Sequence, residues 1–364
     1  MIHIVIGTKA QLIKMAPVMR MLRDGGLPYR FISTGQHRDT MEDILANFRL
    51  PKPDYVLYQG SDITSIPKMA IWGIRILWKT LWRRREIFGN DRQGIVLVHG
   101  DTFSTLLGAL MAKIGRLKVG HVESGLRSHN LLHPFPEEIT RLLTFWLADY
   151  YFCPGDWAVK NVQKYAGHKI NTGANTLADA LHMAQSTIDS LDVDFPSEPY
   201  AIATLHRFEN IYSRQALQRI VDIVCNIADT KKILFILHQP TQKKLHHFDL
   251  YQVLEQHPNI ELRERYDYFR FIKLLSQAEF VISDGGSNQE ECYYLGKPIL
   301  LLRQATERQE GLGENCVLSH YDTNIIADFV KNYSTHQREQ VHFITTPSEI
   351  IANTCKPFST LPSR

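Results

Sequence analysis

Three carboxylates, Asp101, Glu123 and Glu137, lie within residues 96–141, a stretch reading VLVHGDTFSTL, then VGHVESGLRS, then HPFPEEITR. Asp101 and Glu123 each follow a short apolar run, 95–98 and 119–122, of the kind that forms a buried parallel strand. In an open parallel sheet, ligands bind where the carboxyl ends of the strands meet the following loops. Acidic side chains gathered there, with His99 and His121 close in the chain, suit proton transfer more than solubility. A single loop carboxylate is ordinarily solvated or caps a helix. Three of them, with a histidine at another strand end downstream, favour the chemical reading. That histidine is His206, which follows the run 201–204. Its neighbour Arg207 disfavours the protonated imidazole until an anionic ligand arrives.

A second group points to nucleotide binding. SDGGSNQEE follows the run 280–283 and opens a helix. Gly285 and Gly286 let the backbone approach a ligand closely, and the amides of the helix start, with Ser287, favour a phosphate. Glu290 and Glu291 either complement the helix dipole or bind ribose hydroxyls. Arg303, Thr306, Glu307 and Arg308 form a basic loop suited to a diphosphate, with Arg308 as an always-charged fork. His238, in LHQP at a further strand end, is a candidate for the nucleotide rim.

The elements that must position these residues alternate along the chain. Strands are predicted over 2–6, 29–33, 95–98, 119–122 and 150–153, with helices over 11–23, about 39–48, and 137–147. The pattern restarts with strands 201–204, 233–237, 280–283 and 298–302 and helices 213–227, 266–276 and 288–295. This is the rhythm of an α/β protein with doubly wound parallel sheets. At 364 residues the chain exceeds the usual size of one core. Two Rossmann-like lobes are expected, 1–172 with most of the carboxylates and 173–347 for the nucleotide, with a cleft between them. The tail, 348–364, is expected to be able to cross back to the first lobe.

Composition sets bounds. A hydrophobic content of 44% with 22% charged residues is that of a globular protein. The formal charge of +3 argues against a nucleic-acid partner but suits an anionic nucleotide. Five scattered cysteines imply neither a disulfide framework nor a zinc site. With no signal-peptide core and no membrane-length apolar run, the expected location is cytoplasmic.

The motifs GTKAQLIKMAP, TGQHRD, VHGDT, GHVESGLR, PFPEE, TLHRFEN, SDGGSNQEE and GKPILLLRQATER occur in one order over nearly the whole chain. In this the chain resembles the UDP-N-acetylglucosamine 2-epimerase family. The resemblance implies a GT-B-like fold, a homodimer, and interconversion of UDP-GlcNAc and UDP-ManNAc for polysaccharide, capsule or envelope synthesis. It implies Asp101, Glu123, Glu137 and His206 as the catalytic set, and Glu291 as the ribose ligand. The route it implies eliminates UDP across carbons 1 and 2, giving 2-acetamidoglucal, then adds UDP back. Lys9, Lys14, Arg207 and Arg308 can neutralise the diphosphate, and Arg141 joins the substrate-binding set. No cofactor or metal is expected. Two alternatives are a hydrolysing epimerase that releases ManNAc, and a glycosyltransferase with a membrane-associated acceptor. The chain departs from the family at GTKAQ, where GTRPE is usual, placing Lys9, Ala10 and Gln11 for arginine, proline and glutamate. It also departs at Phe208, at the order Gly285–Gly286–Ser287, and in the extra residue of TGANTLAD.

One segment falls outside this reading. Residues 69–85, MAIWGIRILWKTLWRRR, have the spacing of an amphipathic helix with Trp72, Trp78 and Trp82 and a basic end. Burial of the tryptophans, against the first lobe or a second subunit, is preferred here over a membrane-surface helix.

Overall fold

The computed structural model describes residues 1–36, 41–60, 63, 66–130, 136–306 and 308–359. Among these, the first unit contains β1 (Ile2–Ile6), β2 (Tyr29–Ser33), β3 (Tyr55–Val56) and β4 (Ile95–His99). It continues with β5 (Lys118–Val122), β6 (Tyr150–Cys153) and β7 (His168–Asn171). All pair in parallel, in the order β3-β2-β1-β4-β5-β6-β7. Every residue of β1 and β4 is buried, as a strand covered by helices on both faces requires. The helices are α1 (Lys9–Asp24), α2 (Glu42–Asn47), α3 (Ile66–Trp82), α4 (Arg84–Phe88), α5 (Phe103–Gly115), α6 (Glu137–Leu147), α7 (Asp156–Val162) and α8 (Leu177–Gln185). Thr8 starts α1 through a capping box with Gln11, and Thr102 caps α5. Of the helix predicted over 39–48 the structure shows Glu42–Asn47, and residues 39 and 40 lie outside the described residues.

The second unit contains β8 (Tyr200–Thr204), β9 (Lys232–Leu237), β10 (Ile260–Glu264), β11 (Val281–Ser283), β12 (Ile299–Leu301) and β13 (Cys316–Leu318). These are again parallel, ordered β10-β9-β8-β11-β12-β13. Its helices are α9 (Phe208–Ile211), α10 (Arg214–Ala228), α11 (Gln239–His247), α12 (Tyr251–Glu255), α13 (Tyr268–Gln277), α14 (Gly286–Leu295) and α15 (Thr323–Asn332). Residues of one strand alternate between two cores. Ala201 and Ala203 face the cluster built on Phe235 and Phe280, while Tyr200 and Ile202 face the one built on Leu234 and Ile236.

The chain divides into Met1–Met183 with Ile344–Arg364, and Ala184–Phe343. The sequence pattern put the first boundary at 172/173, but residues 173–183 stay with the first unit. Asn175 donates to Glu123, and Asp179 accepts the Ser348 amide at 2.8 Å. The returning segment starts at Ile344, not 348, and forms α16 (Pro347–Cys355). This helix packs on α1 and buries Ile351, Ala352 and Cys355.

Within one chain the tryptophan helix is buried on one side only. Trp72 and Ile76 enter the core and Met69 and Leu77 pack against it, while Ile71, Ile74, Trp78, Leu81 and Trp82 are 55–74% exposed. The helix also breaks at Arg83, which caps the separate α4.

Candidate active site

Each sheet reverses its winding once, between β1 and β4 in the first unit and between β8 and β11 in the second. Ligand sites of doubly wound sheets lie at such switch points, outside the carboxyl ends of the strands. The sequence-predicted residues gather at both.

In the first unit, Gln11 ties the loops after β1 and β4 together. Its carbonyl oxygen accepts from the Gly7 and Thr8 amides at 2.9 and 3.1 Å. Its amide nitrogen donates to the His99 carbonyl at 2.7 Å and lies 2.9 Å from the hydroxyls of Thr102 and Thr105. Lys9 and Lys14, both on α1, are buried beside this clamp. Lys14 Nζ stands 2.6 Å from Glu123 Oε1, which also accepts from the Asn175 amide. Glu123 Oε2 is 3.7 Å from His99 Nε2. The Glu123 backbone sits in the left-handed region, φ 61°. For a residue other than glycine that costs on the order of 1 kcal/mol or more, and such strain gathers at functional sites. Gly100 makes room for the carboxylate. A Cβ there, at φ +69°, would lie 3.1 Å from Glu123 Oε2.

Asp101 and Glu137 are joined through α6. Glu137 is its first residue, and the Thr140 hydroxyl donates to the carbonyls of both Asp101 and Glu137. Arg141, one turn further, is buried and pairs with the carboxylates of Asp101 and Glu138. Burial alone would lower the guanidinium pKa, but Asp101 and Glu138 outweigh it and raise it. Glu138 is fully buried and also binds Arg127 and the Ser128 amide. Burial pushes its pKa up, yet these donors together hold it below the usual carboxylate value. His121 bonds the Gly100 carbonyl at 2.7 Å and Ser124 Oγ at 3.1 Å. Its burial lowers the imidazole pKa to about 4, so it is neutral at physiological pH.

In the second unit, the buried Asp284 after β11 organises the loop after β8. Its carboxylate accepts from the backbone amides of His206 and Arg207 and from Asn210 Nδ2, each at 3.0 Å. His206 Nδ1 lies 3.6 Å from Asp284 Oδ1 with two-fifths of the side chain exposed. Crowding by protein lowers its pKa, opposed by Asp284 and reinforced by Arg207 and Arg265. His238, which caps α11, faces the His206 ring at 4.8 Å between centroids and lies 3.2 Å from Thr204 Oγ1. Gly285 and Gly286 are where side chains would not fit. A Cβ on Gly285 would come within 2.9 Å of the His206 ring, and one on Gly286 within 2.9 Å of Arg308 Nε. Ser287 follows in the first turn of α14. Arg308 reaches the buried Glu290 at 2.7 Å, and Glu291 accepts from Asn288 at 2.9 Å. Glu307 and the stretches His37–Arg38–Asp39 of TGQHRD and Pro134–Phe135 of PFPEE lie outside the described residues.

Sequence reasoning passed over Glu138, Asn175 and Asp284. Asp284 follows its strand as Asp101 follows β4, so the same rule reaches it. Glu138 sits beside Glu137 with no spacing to mark it as the buried member, and Asn175 lies in TGANTLAD, where nothing marks its contact with Glu123.

Residues 20–346 match the sequence model of the UDP-N-acetylglucosamine 2-epimerase family. The chain belongs to this family. It is 34% identical to the UDP-N-acetylglucosamine 2-epimerase of Methanococcus maripaludis over 86% of each chain. Among solved structures it resembles the UDP-GlcNAc 2-epimerase from Neisseria meningitidis bound to UDP-GlcNAc. That likeness has a TM-score of 0.84 and 27% identity, and covers 98% of this chain and 99% of that one. The Methanocaldococcus jannaschii UDP-GlcNAc 2-epimerase in complex with UDP-GlcNAc and UDP gives 0.80 and 27% over the same shares. The two-sheet, GT-B-like α/β architecture expected from the sequence is the one these family structures have. At Gln11, one of the positions where the sequence departs from the motif expected by resemblance, the side-chain amide joins Thr105 Oγ1 in donating to the His99 carbonyl.

Proposed function

We propose that this chain interconverts UDP-N-acetylglucosamine and UDP-N-acetylmannosamine without hydrolysis. The observation that carries the reading is Glu123. It is a carboxylate in a left-handed backbone at a strand end, flanked by Lys14 and His99 and given space by Gly100. A group held at such conformational cost, beside the Lys14 ammonium, is built for charge and proton handling.

The carbon-2 proton of the sugar is weakly acidic, so its removal is coupled to departure of UDP. A carboxylate base takes the proton while the bond from carbon 1 to the phosphate oxygen breaks, and the electron pair becomes the carbon 1–carbon 2 double bond of 2-acetamidoglucal. Return of a proton to the opposite face of carbon 2, with attack of the UDP oxygen at carbon 1, gives the epimer. Asp101, Glu123, Glu137 and His206 are the proton-transferring set. An acid and a base on opposite faces are what this route requires. Lys9, Lys14, Arg207 and Arg308 offset the charge of the diphosphate. Gly285, Gly286 and Ser287 present backbone amides to it, Glu291 takes the ribose hydroxyls, and His238 lines the rim.

The experiment is turnover in deuterated water followed by NMR. UDP-GlcNAc should yield UDP-ManNAc bearing deuterium at carbon 2, with UDP remaining attached in the product. Free ManNAc and UDP would instead identify the hydrolysing reaction. Absence of exchange at carbon 2, with sugar passed to an acceptor, would identify a transferase.

A further inference from the structure

Asn288 is an unusual residue for the place it occupies. It is buried in the first turn of α14, between the glycine pair and Glu291. Asparagine is a poor helix former, and an amide taken out of water costs free energy unless its oxygen and its nitrogen both find partners. Here both do. Asn288 Oδ1 lies 2.9 Å from Ser283 Oγ at the end of β11, and Nδ2 donates to Glu291 Oε2 at 2.9 Å. Ser283 is fully buried, and its oxygen in turn accepts from the Gly285 amide at 3.0 Å. Glu291 comes within reach because residues one turn apart share a helix face.

Chemistry fixes the direction of these bonds. An ionised carboxylate only accepts, so the amide nitrogen of Asn288 faces Glu291 and its oxygen faces Ser283. The Ser283 hydroxyl therefore gives its proton to Asn288 and keeps its lone pairs for the Gly285 amide. All of the bonds run one way, from the backbone of the glycine pair to the carboxylate, and bonds in series polarise one another. Gly285 is part of the fit. A Cβ there would stand 2.6 Å from Asn288 Oδ1, as well as against the His206 ring.

We infer that Asn288 is a positioning residue for recognition of the nucleotide's ribose. It holds the Glu291 carboxylate in one orientation and ties it to the glycine loop, so that ribose and diphosphate are read by one hydrogen-bonded unit. The inference rests on the reading of Glu291 as the ribose ligand. Each carboxylate oxygen has two lone pairs, so Oε2 can accept from Asn288 and also from a sugar hydroxyl. Without the amide that restraint is lost, and the cost of ordering the carboxylate falls on the ligand.

The test compares, by calorimetry on the full chain, the binding of UDP and of its dideoxy analogue, which lacks both ribose hydroxyls. The unsubstituted chain should bind UDP at least about tenfold more tightly, because only UDP offers hydroxyls to Glu291. Asn288→Leu keeps the side-chain volume and removes both polar groups. It should bring the ratio to about threefold or less by weakening UDP, with the dideoxy analogue held within about twofold. In Glu291→Ala the ratio should be about one, and adding Asn288→Leu should change it no further, since the two side chains act as a unit. Ser283→Ala removes the hydroxyl that orients the amide and should lower the ratio in the same direction. An Asn288→Leu chain that keeps the ratio, whether both affinities fall together or neither falls, overturns the inference and leaves Glu291 as the ribose ligand. If Asn288→Leu does not fold, an unchanged ratio in Ser283→Ala overturns it instead. A Glu291→Ala chain that keeps the ratio overturns the ribose reading itself, and the inference with it.

Discussion

Glu123, Asp101, Glu137 and His206 are small in number and unequal in surroundings, and substitution should separate chemistry from folding. Asp101→Asn, Glu123→Gln, Glu137→Gln and His206→Ala should each lower kcat on the order of 100-fold or more, measured in a coupled turnover assay. Glu291→Ala should act mainly on UDP affinity, read by calorimetry. Glu138 behaves differently because it is buried between Arg127 and Arg141. Glu138→Ala leaves those cations short of a partner and should cost roughly 3–5 kcal/mol in urea unfolding. His121 gives a pH signature. Its folded pKa is lowered from 6.5 to about 4 by burial, so between those values the unfolded chain binds the extra proton. Stability contributed by the neutral ring is present above pH 6.5 and lost as pH falls towards 4. His121→Gln should flatten the Tm profile across that window.

At the scale of elements, α3 offers an internal control. Trp72→Ala removes a buried ring and should cost about 3–5 kcal/mol, whereas Trp78→Ala, on the exposed side of the same helix, should stay within about 0.5 kcal/mol. Thermal and urea unfolding of the two variants checks both. What the sequence revealed of the elements follows burial. The central strands β1, β4, β5, β8, β9 and β11 read as apolar runs because helices cover both faces. The strands left unassigned from the sequence, β3, β7, β10 and β13, are the four outermost strands of the two sheets. An edge strand is half solvated, as His168–Asn171 and Ile260–Glu264 show, and carries no continuous apolar signal. The site was legible where chemistry follows a strand, as at Asp101, Glu123 and His206. The motif TGANTLAD was visible, but that its Asn175 reaches Glu123 across the fold was not. The amphipathic pattern of α3 was legible too, but periodicity cannot tell which of two apolar flanks faces inward. Trp72 took the core, and Trp78 and Trp82 did not.

At the scale of the molecule, the two units differ in how the chain builds them. Ala184–Phe343 is continuous and has cores on both faces of its sheet, so a fragment spanning 184–343 should fold cooperatively by itself. The first unit needs Ile344–Arg364 as well, because Ile351, Ala352 and Cys355 are buried where α16 lies on α1. A fragment ending at residue 183 should melt earlier than the same unit in the full chain, and circular dichroism of the two fragments would show the contrast. The order of synthesis gives this discontinuity a further meaning. On the ribosome, the carboxylate-bearing half emerges first yet is completed last, after residues 184–343 have had time to form. Throughout that interval the α1 surface meant for α16 stays uncovered. The nascent enzyme is therefore most vulnerable to aggregation and proteolysis in the half it made first, and translation pauses before residue 344 should lengthen its exposure to chaperones.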